Sequence, residues 1–315
     1  YIMKIVLYHP HRQVNPLVNN LKSSGFICIN APKLWKLIPV KSSSIKKFKI
    51  INFVLKILRP RLILTPNWIS RFETFYLLWS KKNNACDFIV VQHGSYIGGK
   101  ITVESHKNIK CGVFLVWGNY FKETFQSFNY NYNKRIEIIG NTVYNQINRE
   151  NFKYSDPDFK EILIITSGVT EKGSKALSEL VRWLEDKNIL VWVKFHNHQV
   201  KKFGRIDGYN ELNDDLYVTL KSERFKLVIA DHSTALLDSI FFKKYVIFFP
   251  QSDRGYFFEN NLYSEFLPIL KPHMLNQNND LNFLSKFINK EKQELFFKKL
   301  ISIKPNNQIE KVLKQ

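Results

Sequence analysis

The chain alternates between short, uninterrupted apolar runs and longer segments in which apolar residues recur at helical spacing. Uninterrupted runs are typical of strands buried on both faces of a parallel sheet, and the helical segments supply the crossovers between them. In the first half the predicted strands are residues 3–8, 28–30, 62–65, 88–91, 112–117 and 135–139. The predicted helices of this half are residues 15–24, 50–58, 69–81 and 120–127.

A polar segment, Asn148 to Asp158, interrupts the alternation, and we interpret it as a linker. After it the predicted strands are residues 161–166, 190–195, 216–219, 227–231 and 246–249. The clearest helices of this half are residues 174–187 and 235–242, with weaker helices towards the C-terminus. A length of 315 residues suits two domains. We therefore predict an α/β protein with domains at residues 1–150 and 151–315, each with a parallel sheet and right-handed crossovers.

Polar side chains follow predicted strands in both halves. The strand at 88–91 runs into Gln92-His93-Gly94, and the strand at 227–231 runs into Ser233-Thr234 at the start of a helix. His9 and His11 follow the first strand in the same way. In open α/β sheets ligands bind at the carboxyl ends of the strands. Such ends in two domains predict a site in a cleft that the two domains face.

Each of these strand ends has a functional and a structural interpretation. An imidazole such as His93, exposed by the turn that Gly94 allows, is suited to be a general base because its pKa lies near working pH. A histidine bonded within its loop is the structural alternative. Ser233 and Thr234 stand where free helix amides and the positive end of the helix dipole attract phosphate. A simple helix cap is the structural alternative there.

Three further segments of the second half carry weaker signals. Lys194 and His196 end an apolar strand and are suited to hold a phosphate or ribose, whereas a solvated strand end is the alternative. A metal site is disfavoured there because no carboxylate or cysteine accompanies the histidines at a suitable spacing. Ser167-Gly168 lies between a strand and a helix, without the glycine spacing of a P-loop or dinucleotide fingerprint. Arg254 and Glu259 follow the strand at 246–249, where a ligand at the strand end is within reach.

The net charge narrows the choice of partners. The chain has 47 Lys and Arg against 27 Asp and Glu, which gives a formal charge of +20. Such a field favours nucleotides, nucleic acid, phospholipid surfaces or phosphorylated acceptors. Part of it has a simpler origin, because Lys, Asn, Ile and Phe are abundant together, as an AT-rich genome produces. No nucleic-acid-binding motif is visible and the basic residues are spread along the chain, so we expect no nucleic-acid partner.

Cysteine usage and hydropathy indicate the cellular compartment in which we expect the protein. Cys28, Cys86 and Cys111 show no metal-type spacing, which is typical of reduced thiols in a cytoplasmic protein. No charged-then-apolar leader is visible, and no apolar run approaches the roughly 20 residues needed to span a bilayer. We therefore expect a cytoplasmic protein whose contact with an anionic inner membrane face, where it occurs, is peripheral.

The order of these segments resembles the two-domain nucleotide-sugar transferases of the GT-B fold. Within that fold, residues 88–260 are similar to the CDP-glycerol glycerophosphotransferase and capsule polysaccharide transferase group. The matching segments are Gln92-His93-Gly94, Lys194-Phe195-His196-Asn197, Asp231-His232-Ser233-Thr234 and Arg254-Gly255-Tyr256-Phe257-Phe258-Glu259. The His and Ser/Thr pair is also similar to CMP-sugar transferases such as Kdo- and sialyltransferases. Asn197 stands where the family has proline, which leaves the donor open.

The resemblance implies a metal-independent enzyme with two Rossmann-like domains and no cofactor beyond its nucleotide-activated donor. In the second domain it places His196, Ser233 and Thr234 at the donor phosphates and Glu259 at the ribose, with other donor contacts from Lys194, Ser167 and Gly168. In the first, acceptor-binding domain it makes His93 the base for the acceptor hydroxyl or a stabiliser of charge at the transferring centre. The remaining residues implied at the acceptor or the cleft are His9, His11, Gln92, Gly94 and Arg254.

The implied reaction moves a sugar or polyol phosphate from a CMP- or CDP-linked donor to a hydroxyl of a bacterial surface glycan or glycolipid. The acceptor would be of the capsule, lipopolysaccharide or teichoic-acid type. A UDP-sugar-dependent transferase and a nucleotide-sugar 2-epimerase share the architecture and stay open as alternatives. The epimerase is less favoured because few acidic residues lie near His93 in the sequence. A basic nucleic-acid-binding protein is the third alternative.

Overall fold

The structure is a computed structural model that describes most of the chain. The described residues are 4–38, 45–67, 71–83, 86–94, 112–128, 135–157, 159–166, 170–196, 210–231, 233–251, 265–278 and 280–303. They divide into two compact units. The first unit takes the described residues up to 93, those between 112 and 148, and those from 300 to 303. The second takes Gly94 and the described residues between 149 and 299.

The first unit is built on a six-stranded sheet in which every pair of neighbouring strands is parallel. Its strands are β1 (Ile5–Tyr8), β2 (Ile27–Asn30), β3 (Leu62–Thr65), β4 (Asp87–Val91), β5 (Val113–Val116) and β6 (Arg135–Ile138), in the order β2-β1-β3-β4-β5-β6. Its helices are α1 (Asn15–Ser23), α2 (Ala31–Lys36), α3 (Ile45–Leu58), α4 (Arg71–Asn83) and α5 (Asn119–Phe128). The strand order reverses between β1 and β3, which makes that position the topological switch point.

The second unit repeats the design with a five-stranded parallel sheet. Its strands are β7 (Glu161–Ile165), β8 (Leu190–Lys194), β9 (Asn210–Glu211), β10 (Leu227–Ala230) and β11 (Tyr245–Phe248), in the order β11-β10-β7-β8-β9. Its helices are α6 (Glu171–Glu185), α7 (Leu216–Lys221), α8 (Thr234–Phe241), α9 (Pro272–Asn276) and α10 (Lys290–Leu300). The switch point lies between β7 and β10. Short 3₁₀ helices span Tyr144–Gln146, Arg149–Asn151 and Leu281–Phe287.

The apolar runs of the sequence form the two cores. In the first unit, Val6, Leu64, Ile89 and Leu115 are at most 2% exposed and come from four neighbouring strands. In the second unit the apolar face of α6 packs on the sheet, with Leu177 and Leu180 wholly buried. Burying one such side chain contributes roughly 1.5–3 kcal/mol before the entropy of ordering it. This is why uninterrupted apolar runs located the strands.

The structure differs from the sequence-based prediction at residues 216–219. This segment is not a strand but the first part of α7, because the Asp215 carboxylate accepts hydrogen bonds from the backbone N–H groups of Tyr217 and Val218. A side chain that caps the first turn in this way starts a helix. The apolar run was too short for the spacing of its residues to distinguish a strand from a helix.

The end of the described chain belongs to the first unit, although the division at residue 150 assigned it to the second. The Ser302 N–H donates to the Trp117 carbonyl over 2.8 Å. A Cβ at Gly118 or Gly140 would collide with the backbone carbonyl of Leu300 or Ser302. These two glycines therefore permit the close approach of the returning chain.

In the described residues, no helix combines the length and the apolarity that a bilayer crossing demands.

Candidate functional site

His93 follows β4 and is held by a carbonyl from the neighbouring strand. Its Nδ1 lies 2.5 Å from the Pro66 carbonyl oxygen, just beyond β3. Because a carbonyl only accepts, Nδ1 carries the proton, and Nε2 of the neutral ring is left as the proton acceptor. Burial lowers the pKa of His93, and the hydrogen bond to Pro66 only partly offsets this. The ring is therefore neutral at pH 7 and suited to take a proton.

Gln92 has a structural position. It is wholly buried, and its side-chain oxygen accepts the backbone N–H of Trp117 over 2.9 Å. Its backbone carbonyl accepts the indole N–H of the same residue over 3.0 Å. Gln92 therefore ties the end of β4 to the end of β5 and fixes the backbone from which His93 extends.

His9 lies at the switch point of the first sheet and pairs with a buried carboxylate. Its backbone N–H continues the pairing of β1 with β3 by donating to the Leu64 carbonyl over 2.9 Å. Its Nδ1 lies 2.5 Å from Oε1 of Glu73, which is wholly buried on α4, while the His9 side chain is 32% exposed. A buried carboxylate on one imidazole nitrogen orients the ring and stabilises the imidazolium that forms when the other nitrogen takes a proton.

Glu73 is 64 residues from His9 in the chain and is not among the site residues predicted from the sequence. The available signal was an acidic residue in the first turn of an otherwise aromatic helix. Such a residue is usually a favourable partner of the helix dipole, so the signal was ambiguous.

His11 stands beside His93, with the ring centroids 5.6 Å apart in an edge-on arrangement. Its Nδ1 accepts the backbone N–H of Gln13. Burial lowers the pKa of His11 to about 4, and the neighbouring His93 and Arg12 add to the effect. The first unit therefore brings three of the predicted histidines together at one sheet edge, and His11 stays neutral at pH 7. Gly94 is the last described residue of this turn.

A buried polar network rigidifies the same edge. Gln13 donates to the Asn141 side-chain oxygen over 3.0 Å, and the Thr142 hydroxyl donates to the Gln13 carbonyl over 2.7 Å. All three residues are wholly buried. The network ties the loop after β1, which carries His9 and His11, to the loop after β6.

In the second unit, a hydroxyl group and a backbone amide join the strands beside the switch point. Thr166, directly after β7, is 2% exposed, and its hydroxyl accepts the His196 backbone N–H over 2.7 Å. The Lys194 ammonium donates to the Asp214 carbonyl over 2.6 Å. His196 is thus placed at the carboxyl edge of the sheet, while Lys194 is engaged with the main chain.

Ser233 and Thr234 begin α8 on the other side of the switch point. The Ser233 hydroxyl accepts the Ala235 N–H over 3.1 Å, so Ser233 caps the helix. Both residues are partly exposed, whereas Asp231 before them is wholly buried. The capping interpretation is therefore correct for Ser233, and the edge it forms is accessible.

Gln251, which the sequence analysis did not assign to the site, lies against the start of α6. Its carbonyl accepts the Thr170 N–H over 3.2 Å, and a Cβ at Gly173 would collide with that same carbonyl. Its side chain is wholly buried, and neither amide atom has a hydrogen-bond partner in the structure described. An unpaired buried amide costs about 1–3 kcal/mol. It lies beside a helix start at the carboxyl edge of a parallel sheet, which is where a polar ligand group would satisfy it.

The remaining predicted residues lie outside the described ranges: Ser167, Gly168, Arg254 and Glu259. Among the described residues, no group of three or more His, Cys, Asp or Glu side chains is arranged to hold a metal ion.

The two-unit architecture is shared with solved structures of carbohydrate-active enzymes. A glycosyltransferase from Rickettsia africae ESF-5 is 16% identical, with 100% of this chain and 98% of that chain covered and a TM-score of 0.54. Anabaena Alr3699/HepE in complex with UDP-glucose is 10% identical, with 99% of each chain covered and a TM-score of 0.53. A Listeria monocytogenes protein assigned as a UDP-N-acetylglucosamine 2-epimerase is 14% identical, with 99% and 95% covered and a TM-score of 0.58.

The fold is the GT-B fold. Both Rossmann-like domains predicted for it are present, with parallel sheets of six and five strands. No protein-family model matches the chain, and no curated protein matches it. At these identities the comparison shows the GT-B fold alone, because one fold hosts several chemistries.

Proposed function

We propose that this protein is a transferase that moves a sugar from a nucleotide-activated donor to a hydroxyl of a glycan or glycolipid. The observation that carries the proposal is the histidine edge of the first unit. There His93 has its acceptor nitrogen unprotonated, and His9 is backed by the buried Glu73. A GT-B protein with such an edge has the proton acceptor that attack by a hydroxyl requires. The surface glycans expected from the sequence remain the proposed acceptor class.

His93 is the proposed catalytic base. Its Nε2 takes the proton of the acceptor hydroxyl as the hydroxyl oxygen forms a bond to the sugar carbon that is transferred. The bond between that carbon and the phosphate oxygen of the donor breaks, and the leaving nucleotide keeps the electron pair. His9 is the second candidate for this role, because Glu73 would stabilise the imidazolium formed on it. In either case the neutral imidazole is the active form.

The second unit is the proposed donor side. The helix starts at Ser233 and at Thr170 place the positive end of a helix dipole where it would attract the donor phosphates. The unpaired Gln251 amide offers both a donor and an acceptor to a ribose, base or sugar group. His196, Ser167, Gly168, Glu259 and Arg254 remain proposed contacts on this side. Lys194 is a weaker candidate because its ammonium binds the Asp214 carbonyl.

Among donors we place UDP-sugars first. The support is that one compared structure holds UDP-glucose and another is assigned to a UDP-sugar, at low identity. The CMP- or CDP-linked donor expected from the sequence motifs is second. The charge on the leaving nucleotide would be balanced by helix amides and basic side chains, without a metal ion.

A 2-epimerase is the second candidate function. It is favoured by the likeness to the Listeria protein and by Glu73, an acidic group beside the histidines that sequence reasoning did not find. An epimerase changes its nucleotide sugar in the absence of any acceptor, whereas a transferase consumes it only with an acceptor, apart from slow hydrolysis.

A thermal-shift panel with UDP, CDP, CMP, GDP and dTDP, with and without EDTA, tests the donor assignment. A ligand that binds only the folded state raises the melting temperature by mass action. We expect a selective, EDTA-insensitive shift with UDP. A selective shift with CMP or CDP moves the donor to the cytidine class, and no shift with any nucleotide refutes the proposed donor side. Incubation of the matching nucleotide sugar without acceptor then separates transferase from epimerase.

A further inference from the structure

Helix α3 exposes apolar side chains on the face that points away from the core. Its inner stripe, Ile51 and Leu55, is wholly buried. On the other side Ile45 is 74% exposed, Ile50 40%, Phe53 63% and Ile57 65%. Elsewhere in the described residues, large exposed apolar side chains are scattered, with no helix carrying more than one. Exposed apolar side chains grouped on one helix face are typical of a surface that binds a protein or a membrane.

The same outer face is basic. Lys46, Lys49 and Lys56 are exposed on α3 between the apolar residues, and Arg59 and Arg61 are exposed directly after it. The segment from residue 45 to residue 61 contains no acidic residue. Lysines beside exposed Phe and Ile are the composition of helices that lie in the interface of an anionic membrane.

We propose that the outer face of α3 docks the protein on an anionic phospholipid surface. The apolar side chains enter the region between headgroups and acyl chains, while the lysines pair with lipid phosphates. Charge complementarity favours this partner over a second copy of the chain. In a symmetric pair built on this face the same lysines would oppose one another, and no acidic residue of α3 would compensate them.

The inner side of α3 is connected to His9 by a short row of aromatic contacts. On the inner side of α3, Phe48 contacts Trp35 with ring centroids 5.2 Å apart. Trp35 contacts Phe72 on α4 at 5.3 Å, and Phe72 contacts the His9 ring at 5.8 Å. Three ring contacts therefore join the inner side of α3 to His9, and α3 is part of the same domain as the proposed acceptor side. The acceptor side rests on the proposed function, but the docking itself does not.

Co-sedimentation with vesicles, without nucleotide or acceptor, tests the docking directly. The vesicles are phosphatidylcholine alone or phosphatidylcholine mixed with phosphatidylglycerol. We expect binding to the anionic vesicles only, weakened by salt because the lysine contacts are screened. The triple variant Lys46→Gln, Lys49→Gln, Lys56→Gln should bind them about a hundredfold more weakly. The triple variant Ile50→Ser, Phe53→Ser, Ile57→Ser should lose at least about tenfold, and Phe53→Ser alone is the milder second variant.

The matched control lies on the second unit. Lys286, Lys292 and Lys298 are also exposed, so Lys286→Gln, Lys292→Gln, Lys298→Gln removes the same charge elsewhere, and Leu295→Ser removes an exposed apolar side chain. We expect both controls to bind like the wild-type protein. If the lysine control loses as much vesicle binding as the α3 lysine variant, only the net charge of the protein matters. If the wild-type protein binds both vesicle types equally, the binding has no electrostatic basis. Either result overturns the proposal. A lipid-free dimer that the serine variant dissociates would assign the face to a second copy instead.

Discussion

Arg149 and Glu294, 145 residues apart in the chain, form a two-pronged ion pair with N···O distances of 2.9 and 2.8 Å. The same carboxylate accepts hydrogen bonds from the Lys243 ammonium and the Tyr154 hydroxyl, each at 2.9 Å. Arg149 also donates to the carbonyls of Ile240 and Phe241 at the end of α8. One carboxylate therefore ties the start of the second unit to α8 and α10.

The substitution Glu294→Gln should lower the free energy of unfolding by about 2 kcal/mol, because it leaves partly buried cations without their counter-charge. Urea titration at pH 7 measures it. The control is Glu161→Gln, which breaks the more exposed pair with Arg224. We expect about 0.5 kcal/mol or less there. Equal effects of the two substitutions would contradict a special role for Glu294.

The same pair predicts how stability depends on pH. Burial raises the pKa of Glu294, but hydrogen bonds from Arg149 and Lys243 outweigh this and lower it below its ordinary 4.5. The stabilisation is therefore complete above that value and is lost as pH falls through the lowered pKa. Urea midpoints measured from pH 7 downwards should show this loss in the wild-type protein. The decline should be shallower for Glu294→Gln, and identical slopes would refute the assignment.

His93→Ala should reduce turnover by a factor of about 10²–10⁴, the range of a lost general base. Nucleotide binding, measured by thermal shift, should change little because His93 belongs to the first unit. Steady-state kinetics with donor and acceptor provide the measurement, and His9→Ala is compared in parallel. If His93→Ala stays within a few-fold of the wild type while His9→Ala does not, the base is His9.

Glu73→Gln tests whether Glu73 positions a working His9. If it does, kcat falls, and the fall disappears in a His9→Ala background because the two groups act as one unit. If Glu73 has only a structural role, Glu73→Gln should lower the stability of the wild-type and His9→Ala proteins equally. The kcat of the folded enzyme should then be unchanged. The double-mutant cycle on kcat, with melting temperatures alongside, distinguishes the two outcomes.

The pH profile of kcat/KM should show an acid limb with its midpoint below 6.5. The active form of His93 is neutral, and burial lowers the pKa of His93 from that ordinary value. Activity is therefore retained as pH falls through 6.5 and is lost only as the ring takes up a proton below it. A midpoint above 6.5 would exclude His93 in this environment as the base.

Gln251→Met should leave the free protein as stable as the wild type, or about 1 kcal/mol more stable, because it replaces an unpaired amide with an apolar group of similar size. Nucleotide affinity should fall by roughly tenfold as one or two hydrogen bonds to the ligand are lost. Gln293 is the matched control: it is equally buried, but its amide exchanges two hydrogen bonds with Val246.

Gln293→Met should therefore destabilise the protein by about 2 kcal/mol and leave nucleotide affinity unchanged. Denaturant titration and calorimetric titration with UDP measure the two quantities. The site assignment fails if the two substitutions have the same pattern of effects.

How far the sequence predicts this protein depends on how local each feature is. The strand at 62–65 and the start of α8 at Ser233 were predicted correctly, because apolar runs and capping residues act over a few neighbouring positions. The prediction of a strand at residues 216–219 was wrong, because a short apolar run is compatible with both a strand and a helix. The Asp215 side chain caps the first turn and so selects the helix. Of the candidate site, His9, His11 and His93 could be selected because they follow strands.

By itself the sequence determined the α/β class, most strands and the histidine-bearing strand ends, since these follow from local apolar periodicity. Only the tertiary structure decided which of these ends meet. The strand orders set the switch points, the packing of α4 brought Glu73 to His9, and the loop after β11 left the Gln251 amide buried and unpaired at α6. The physical reason is the same in each case. A contact between residues distant in the chain depends on how whole elements pack, and no periodicity along the sequence encodes it.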